Sequence, residues 1–537
     1  MPSFNPAISA KAVHFIPYTL YYGTFVQTPD LGTLEVCFNT LVGVNDKGVI
    51  DFLEKEYFPA QHNNISPLQH FLSLKEISNR ERRNVHYVDY SHDANKFFVP
   101  GFVDTHIHAS QFPNIGIGLD SPLLDWLTQY TFPLEREFTD SNPNKLKLAQ
   151  EVYSLVINKT ISSGTTCASY FTTTDPETTN LFGELLLKFG QRGFVGKVCM
   201  DHNETYDYKE DFETCVESME RIISHIERIN PDDERLVTPI ITPRFAPVCT
   251  SKQLKYLAKL SSERKLPIQT HIGENEKEVE LVKEMFPDCT DYASVYDDHD
   301  LLNSTTILAH AVHLTRNERK LIKEKNCSIS HCPASNTFIS SGEAPITKYL
   351  YDDEINVSLG TDVSGGFESS ILGVIKHSIL VSHHLSMRTK RLEDKLTIED
   401  AIYMATKGGA IAVGLNEMIG TFDLGKKFDV QLIDLNSRGS NVDVFDWQLP
   451  SEAEHVAPRA ASDDSEPLSM SLSATSPFTD TSSPDIRSKK MKDLLGKWVF
   501  SGDDRNCVKV WCNGRVIVDK EDYRRNRGFD EWVMVDK

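Results

Sequence analysis

The sequence predicts an α/β protein whose main domain is a (β/α)₈ barrel of the TIM type, with a small β-sandwich domain built from both chain ends. Three observations lead to this prediction. Eight short apolar, β-branched runs recur between residues 97 and 362. Amphipathic segments lie between several of them, each closed by a glycine suited to a helix C-cap. At the two ends of the chain, apolar and polar residues instead alternate, and residues typical of turns separate the alternating segments.

The eight runs are nearly continuous apolar stretches, as expected of parallel strands buried on both faces. They are "FFVPGFVDTHIH" (97–108), "TTCASYF" (165–171), "FVGKVCM" (194–200), "LVTPIITPRF" (236–245), "LPIQTHIGE" (266–274), "TTILAHA" (305–311), "CSISHCP" (327–333) and "NVSLGTD" (356–362). Such strands alternating with helices favour a parallel barrel over residues 97–415. An open doubly wound sheet is the alternative, which the strand count disfavours.

The regions outside the barrel are typical of short antiparallel strands. A turn signal at Asp46-Lys47-Gly48 separates two alternating segments near the N-terminus, and Asn513-Gly514 marks a hairpin near the C-terminus. We therefore expect one small β domain assembled from residues 1–96, 416–450 and 491–537.

Residues 451–490 differ from the rest of the chain in composition. They are rich in Ser, Pro, Asp and Thr and nearly free of aromatic residues. Such a segment cannot bury enough apolar surface to offset the entropy of ordering it. We predict a disordered insertion here. Ser476-Pro477 and Ser483-Pro484 fit phosphorylation sites, a pattern common in such segments.

Composition excludes several classes of function. The formal net charge of −21, from 56 Lys and Arg against 77 Asp and Glu, argues against binding to nucleic acid or to anionic lipid. No apolar run approaches the ~20 residues that span a bilayer, and the N-terminus is a poor signal peptide. The ten cysteines lack paired spacing and suggest reduced, buried thiols. We expect a soluble, cytoplasmic protein.

Two histidines end the first run, and they indicate a metal site. His106 and His108 are two residues apart, so on a strand they point to the same side. At the carboxyl end of a barrel strand that side is the barrel mouth, where TIM-barrel enzymes place their chemistry. Two neutral imidazoles there form half of a metal site. Taken alone, this pair could equally be two polar residues with ordinary partners.

Three further residues of metal-binding type occupy the same level of the predicted barrel. His271 ends the fifth run, His310 the sixth and Asp362 the eighth. Their convergence with the first pair predicts a metal centre. Nitrogen and carboxylate ligands without cysteine suit Zn²⁺, and Fe²⁺ is the alternative.

Glu274 follows His271 by three residues, just beyond the fifth strand. A carboxylate there could take a proton from metal-bound water and deliver it to a substrate nitrogen. The alternative is a solvated loop residue, because "ENEKEVE" is a charged run. Its offset from the histidine favours it over Glu276 and Glu278.

The number of metal ions also follows from residue types. A second ion would need a bridging ligand, typically a lysine or glutamate ending a mid-barrel strand. Lys197 lies in the middle of the third run, and the fourth run ends in Pro243-Arg244-Phe245. One metal ion is therefore expected.

Taken together, these motifs resemble the amidohydrolase superfamily, specifically its mononuclear deaminase branch and within it the guanine-deaminating enzymes of fungi. The resemblance runs from about residue 95 to 435 and returns at "SGDDRNCVKVWCNGRVIV". Its strongest stretches are "PGFVDTHIHASQ", "LLDWLTQYTFPLE", "FGQRGFVGKVCMD", "TPRF", "HIGEN", "SHCPASN" and "LGTDVSGG". The insertion at 451–490 departs from the family pattern outside the site.

The resemblance implies a role for each candidate residue. One zinc ion per subunit would be bound by His106, His108, His271 and Asp362. Glu274 would shuttle protons and His310 would contact substrate and water, so the implied catalytic residues are Glu274, His310 and Asp362. The purine would be held by Gln111, Arg244 and Phe245, beside His271 and His310. The family is homodimeric and converts guanine to xanthine and ammonia.

The residue types fit this chemistry without the family name. Zinc makes hydroxide available near neutral pH, and hydroxide can attack the amidine-like C2 carbon of guanine. Arg244 presents only donors, which suit the O6 and N7 acceptors of guanine and would be unmatched opposite the amino group of adenine. A salt bridge at the barrel rim is the alternative role for Arg244, and Phe245 could stack on the ring or simply pack.

Three other functions compete with this one. A deaminase of another purine or pyrimidine, or a related hydrolase, would share the metal site and differ at Gln111 and Arg244. Zinc deaminases of the cytidine type need P-C-x-x-C as well as H-x-E; "HNE" (202–204) matches the second, but the first is missing from the sequence. A non-catalytic scaffold need not retain the metal ligands, all of which are present.

Overall fold

The computed structural model describes residues 18–78, 82–231, 235–450 and 486–521. Its strands are β1 (Tyr18–Gln27), β2 (Glu35–Asn45), β3 (Ile50–Glu54), β4 (Val85–Asp89), β5 (Lys96–Pro100), β6 (Phe102–His108), β7 (Thr165–Phe171), β8 (Arg192–Gly196), β9 (Val198–Cys199), β10 (Val237–Pro239), β11 (Thr242–Pro243), β12 (Ile268–Ile272), β13 (Thr306–His310), β14 (Ser328–His331), β15 (Val357–Leu359), β16 (Val430–Asp434), β17 (Cys507–Cys512) and β18 (Arg515–Asp519).

The α-helices are α1 (Pro67–Leu74), α2 (Leu123–Trp126), α3 (Phe132–Arg136), α4 (Lys145–Ser162), α5 (Pro176–Phe189), α6 (Phe212–Ile229), α7 (Ser251–Arg264), α8 (Glu276–Met285), α9 (Tyr292–Asp297), α10 (Arg316–Glu324), α11 (Pro333–Phe338), α12 (Ile371–Thr389), α13 (Ile398–Ala405), α14 (Lys407–Ala412) and α15 (Ile486–Ser501). None of the helices in the described residues has the length and apolar character needed to cross a membrane.

Parallel strand pairs follow one another along the chain from β6 to β15. One parallel sheet has the order β10-β8-β7-β6 and another β12-β13-β14-β15. The third and fourth strands continue as the paired β9 and β11, and a parallel bridge joins Ile241 to Ile268. The amide of Asp362 donates to the carbonyl of His106 (2.8 Å), which links the last strand position to the first. This alternation of parallel strands and helices is a TIM-barrel-type fold, as predicted.

The helices between the strands begin and end where the sequence indicates. Asp175 accepts hydrogen bonds from the amides of Glu177 and Thr178 at the start of α5, and Pro176 occupies its first turn. Gly190 ends this helix in the left-handed conformation, with a φ of 76°. The predicted glycine C-cap is thus present, and it returns the chain to β8.

Strands from both chain ends share one sheet. Its order is β18-β17-β16-β5-β1-β2-β3, and β4 pairs with β1. The predicted hairpin is present, since Asn513 and Gly514 both have positive φ angles (54° and 74°) and join β17 to β18. The described strands of this sheet form one hydrogen-bonded network, because β1 pairs with β4 along its first half and meets β5 near its end.

The predicted limits of the insertion were wrong at its C-terminal end. Residues 486–490 form the first turn of α15, and the part assigned to the small domain from 491 onwards begins with the rest of this helix. Its apolar residues bury one face, and the ring of Trp498 stacks on that of Phe102 at 6.0 Å. The polar first turn, "IRSKK", carries no apolar period that would have revealed it. Residues 451–485, with Ser476 and Ser483, lie outside the described residues.

The cysteines agree with the expectation of free thiols. All ten are free, and only Cys289 is partly exposed. Burial raises the pKa of several of them, Cys507 to about 11 for example. They are therefore protonated, apolar packing groups.

Candidate active site

The strand ends bring the five predicted metal-type residues to one place. His106 and His108 end β6, His271 is near the end of β12 and His310 ends β13. Asp362 follows β15 by three residues. His310 and Asp362 both adopt positive φ angles (73° and 47°), a conformation that costs about 1–3 kcal/mol and that clusters at functional sites.

The donor atoms of these residues lie within a few ångströms of one another. Nε2 of His108 is 3.2 Å from Nε2 of His271. Oδ1 of Asp362 is 3.2 Å from Nε2 of His106 and 3.5 Å from Nε2 of His108. His106, His271, His310 and Asp362 each offer one donor atom within 4.8 Å of the others. This group contains His310, whereas the predicted ligand set has His108 in its place.

Hydrogen bonds behind the rings orient two of the histidines. Nδ1 of His271 donates to the carbonyl of Arg244 (2.6 Å), and Nδ1 of His310 donates to Oδ1 of Asn336 (2.8 Å). Both acceptors are oxygens that cannot donate here, so the proton sits on Nδ1 and the lone pair on Nε2. This is the usual arrangement of a metal-binding histidine.

Electrostatics favour the neutral form of three of the imidazoles. Burial, followed by the charges of the neighbouring histidines and Arg244, lowers the pKa of His108 and of His271 well below the ordinary range. Burial lowers the pKa of His310 to about 4, although Asp362 acts in the opposite direction. Neutral imidazoles with inward lone pairs are suited to bind a cation.

Asp362 supplies the negative charge of the group. Burial alone would raise its pKa, but the interactions with His106, followed by those with His310 and Ser335, outweigh burial, and the pKa is lowered. Asp362 is therefore an ionised carboxylate beside the histidine rings. In the part of the chain that the structure describes, Nε2 of His106 and Nε2 of His310 are buried without a hydrogen-bond partner. These ring nitrogens without a hydrogen-bond partner, beside a carboxylate, fit a bound metal ion.

Glu274 lies beside this group and is buried. Its Oε2 is 3.5 Å from Nε2 of His310, and its Oε1 accepts a long hydrogen bond from Ser341 (3.5 Å). Burial, followed by the charges of Asp362 and Glu278, raises the pKa of Glu274 well above its ordinary range. A raised pKa favours the protonated form of a carboxyl group, which can then release its proton to a base. Glu274 is thus not the solvated loop residue of the alternative interpretation.

The two competing glutamates have other roles. Glu276 is exposed, whereas Glu278 is buried and accepts hydrogen bonds from the amide of Glu274 (2.8 Å) and from Tyr292 (2.7 Å). Glu278 therefore fixes the start of α8 and the backbone of Glu274.

Lys197 does not face the histidines. Its ammonium group is fully buried and pairs with Glu210. Its other hydrogen bonds go to the carbonyl of Val198 and to Cys199. Its ammonium group is thus already paired in the interior of the protein.

A pocket opens from the metal-type residues, and the predicted purine-binding residues line it. Gln111, Arg244 and Phe245 form part of its wall, with Trp126 and Ile339. The ring of Phe245 lies 6.2 Å from that of His271. The pocket therefore combines an apolar wall, a guanidinium and the metal-type group.

Sequence reasoning missed several residues of the site. Glu135 is fully buried and pairs with Arg244, and Asn336 orients His310. Trp126 and Ile339 supply apolar wall. Glu135 and Asn336 lie in "LLDWLTQYTFPLE" and "SHCPASN", two of the stretches that carry the family resemblance. The family resemblance of these stretches could have pointed to Glu135 and Asn336. Neither residue lies at the end of a predicted strand, which is the position that identified the histidines.

Comparison with known proteins gives a consistent result. A model of the Amidohydrolase family matches residues 97–517. A probable guanine deaminase of Schizosaccharomyces pombe is 40% identical over 500 residues, which cover 93% of this chain and 83% of that protein. The human guanine deaminase is 36% identical over 502 residues, covering 93% and 96%. A crystal structure of guanine deaminase from C. acetobutylicum with bound guanine has 29% identity and a TM-score of 0.72, covering 93% and 99%.

Proposed function

The chain belongs to the amidohydrolase family, and from that premise we propose that it catalyses the hydrolytic deamination of guanine to xanthine and ammonia. One observation carries the proposal: a histidine and aspartate group, a buried glutamate and a buried arginine face the same pocket. Two relatives, 40% and 36% identical over 93% of the chain, are a probable guanine deaminase and a guanine deaminase. In this reaction the C2–N bond breaks, and the oxygen of water takes the place of the amino group.

We propose one Zn²⁺ per subunit, held by His106, His108, His271 and Asp362. Neutral nitrogen donors with one carboxylate suit zinc, and Fe²⁺ remains the alternative. When bound, zinc lowers the pKa of a coordinated water from 15.7 to about 7 and so supplies hydroxide near neutral pH. His310 shares the tight donor group, and we assign it to contact with substrate and water beside the ion.

Glu274 moves the protons in this proposal. It accepts one proton from the attacking water and delivers it to the ring nitrogen next to C2. It then takes the second proton of that water from the new hydroxyl group on C2, which becomes the carbonyl, and delivers it to the departing amino nitrogen. Its long contacts to His310 and Ser341 (3.5 Å each) leave its oxygens free to exchange a proton. Burial and the neighbouring carboxylates raise its pKa, which favours the protonated form from which a general acid donates.

Arg244 and Gln111 orient the base. The guanidinium has five N–H donors, and one of them, on Nη1, is used by Glu135 (2.6 Å). The remaining donors match the O6 and N7 acceptor edge of guanine. Adenine has an amino group at C6 in place of the oxygen, and this group is a donor that cannot accept a hydrogen bond from the guanidinium. Phe245 offers an apolar face beside His271.

The proposal also covers architecture and assembly. We infer a closed (β/α)₈ barrel over residues 97–415, supported by the hydrogen bond from Asp362 to His106 (2.8 Å). The shared sheet supports a small domain drawn from both chain ends. We further propose a homodimer, as the resemblance implies. The free, buried cysteines suit a reducing compartment, and we propose the cytoplasm.

A substrate panel tests the proposed function. Purified protein loaded with zinc is given guanine, adenine or cytosine, and ammonia release is measured beside a metal-stripped control. We expect release from guanine alone. Faster release from another base would favour the alternative, a related deaminase with a different base preference. Lack of release from every base would favour a non-catalytic protein.

A further inference from the structure

Glu135 is a fully buried carboxylate to which neither sequence reasoning nor the proposed mechanism gives a role. It lies on α3, outside the barrel strands, and its exposed surface is 0%. An ionised carboxylate is expensive to bury unless it is paired and hydrogen-bonded. The surroundings of its two oxygens therefore indicate what it does.

Each oxygen of Glu135 meets a different residue of the pocket wall. Oε2 accepts from Nη1 of Arg244 at 2.6 Å. Oε1 accepts from Nε2 of Gln111 at 2.8 Å. The two partners come from different parts of the barrel, since Arg244 follows β11 and Gln111 lies in the turn after β6. One carboxylate thus ties together the two side chains proposed to orient the purine.

The contacts of Glu135 also determine how these side chains are turned. A carboxylate only accepts, so Gln111 must present its amide nitrogen to Glu135. The amide oxygen of Gln111, Oε1, then accepts a hydrogen bond from the backbone amide of Ser364 (3.3 Å). The guanidinium of Arg244 lies 5.2 Å from the ring of Phe132, which covers its face. Arg244 is consequently held by its charge on one side and by packing on the other.

We propose that Glu135 is a positioning residue that sets base recognition through Arg244 and Gln111, an inference that rests on the proposed function. It does not contact the substrate. It neutralises the buried guanidinium, so that the pocket takes a neutral purine, and it directs the free N–H groups of Arg244 towards the O6 and N7 edge. Without this carboxylate, Arg244 is a buried charge with several orientations.

The test is a double-mutant cycle on the zinc-loaded, full-length protein. Glu135→Gln keeps the size of the side chain, but its amide nitrogen faces donors of Arg244 or Gln111. We expect kcat/KM for guanine to fall by about 10–100-fold, as for a lost hydrogen bond to a charged group. The loss should fall mainly on KM, because the contact to the base is present before and during reaction. Zinc content should not change.

The second arm removes Arg244, the charged partner of Glu135. In an Arg244→Met background, Glu135→Gln should reduce kcat/KM by less than threefold further, or restore part of it. Glu137→Gln is the matched control, since Glu137 is an exposed carboxylate two residues away; it should behave as wild type. If Glu135→Gln does not fold, Glu135→Asp, which keeps the charge but shortens its reach, takes its place in the cycle.

Each outcome has a distinct meaning. Losses that add in full across the cycle, or a Glu135→Gln protein as active as wild type, would overturn the positioning role. Loss of zinc from Glu135→Gln would instead assign Glu135 to the metal centre. A wild-type protein that does not deaminate guanine would refute the proposed function and this inference with it, and is recognised before any variant is made.

Discussion

Asn336 lies on α11, the helix after β14, and its Oδ1 accepts a hydrogen bond from Nδ1 of His310 at 2.8 Å. This bond turns Nε2 of His310 towards Glu274 (3.5 Å) and Asp362 (3.9 Å). The orientation of a ring at the centre of the site therefore depends on a residue that does not face the substrate.

Asn336→Ala should lower kcat for guanine about 10–100-fold, the usual effect of removing a partner behind a metal-site histidine. The physical reason is that His310 loses both its fixed proton and its fixed ring angle. Steady-state kinetics measure the effect. Thr337→Ala, an exposed position on the same helix, is the control and should have normal kinetics. An Asn336→Ala protein with unchanged kcat would show that His310 is oriented by other contacts.

Glu274→Gln should separate catalysis from binding. The change keeps the size of the side chain and removes the proton-accepting oxygen, so kcat should fall by about 10²–10⁴-fold. KM should change little, because Arg244 and Gln111 are untouched. Kinetics and elemental analysis together measure the outcome.

Glu276→Gln is the matched control for Glu274→Gln, since Glu276 is a neighbouring exposed carboxylate. It should retain wild-type kcat. A Glu274→Gln protein that keeps zinc and most of its kcat would transfer the proton role to His310 or Asp362. One that loses zinc would make Glu274 a ligand.

His106→Ala should abolish both metal binding and turnover. A donor atom of His106 lies within 4.8 Å of those of three other residues, so the substitution removes one ligand atom from this group. Elemental analysis should give about one zinc per wild-type chain and almost none in the variant. His384→Ala, which changes a histidine on α12 outside the metal-type group, should keep its zinc. Two tightly held ions per wild-type chain would contradict the single-metal proposal.

Replacing residues 451–485 with a short flexible linker should leave the melting temperature and turnover nearly unchanged. Their composition offers little apolar surface for a core, and loop length changes stability only slowly. The chain on either side of this segment is already in contact, because Nζ of Lys490 donates to the carbonyl of Leu449 (3.2 Å). Thermal unfolding and guanine kinetics measure the effect.

A longer deletion, of residues 451–490, serves as the comparison. It removes Arg487, whose guanidinium lies 4.1 Å from the ring of Phe38, together with the first turn of α15. This protein should melt several degrees lower, as expected for a loss of about 1–2 kcal/mol in a large domain. A large fall in melting temperature for the shorter deletion would show that residues 451–485 contribute to the fold.

The sequence allowed the strands and the strand-end residues to be predicted because both follow from short-range rules. Alternation places His106 and His108 on one side, and topology places His271, His310 and Asp362 at the same end of the sheet. The turn at Asn513-Gly514 follows from the need for positive φ angles.

Long-range partners could not be predicted in this way. Glu135 and Arg244 are 109 positions apart in the chain, and no periodic pattern connects them. The start of α15 was missed because its first turn is polar and its buried contact with Phe38 comes from the opposite end of the chain. These features depend on packing between distant segments.

The most direct test of the account is the fate of guanine in ¹⁸O-labelled water. Wild-type protein loaded with zinc should form xanthine and ammonia in equal amounts, with one labelled oxygen in each xanthine. Removal of the metal should stop the reaction, and added zinc should restore it. Xanthine without label, or undiminished turnover by metal-free protein, would contradict hydrolysis at this metal centre.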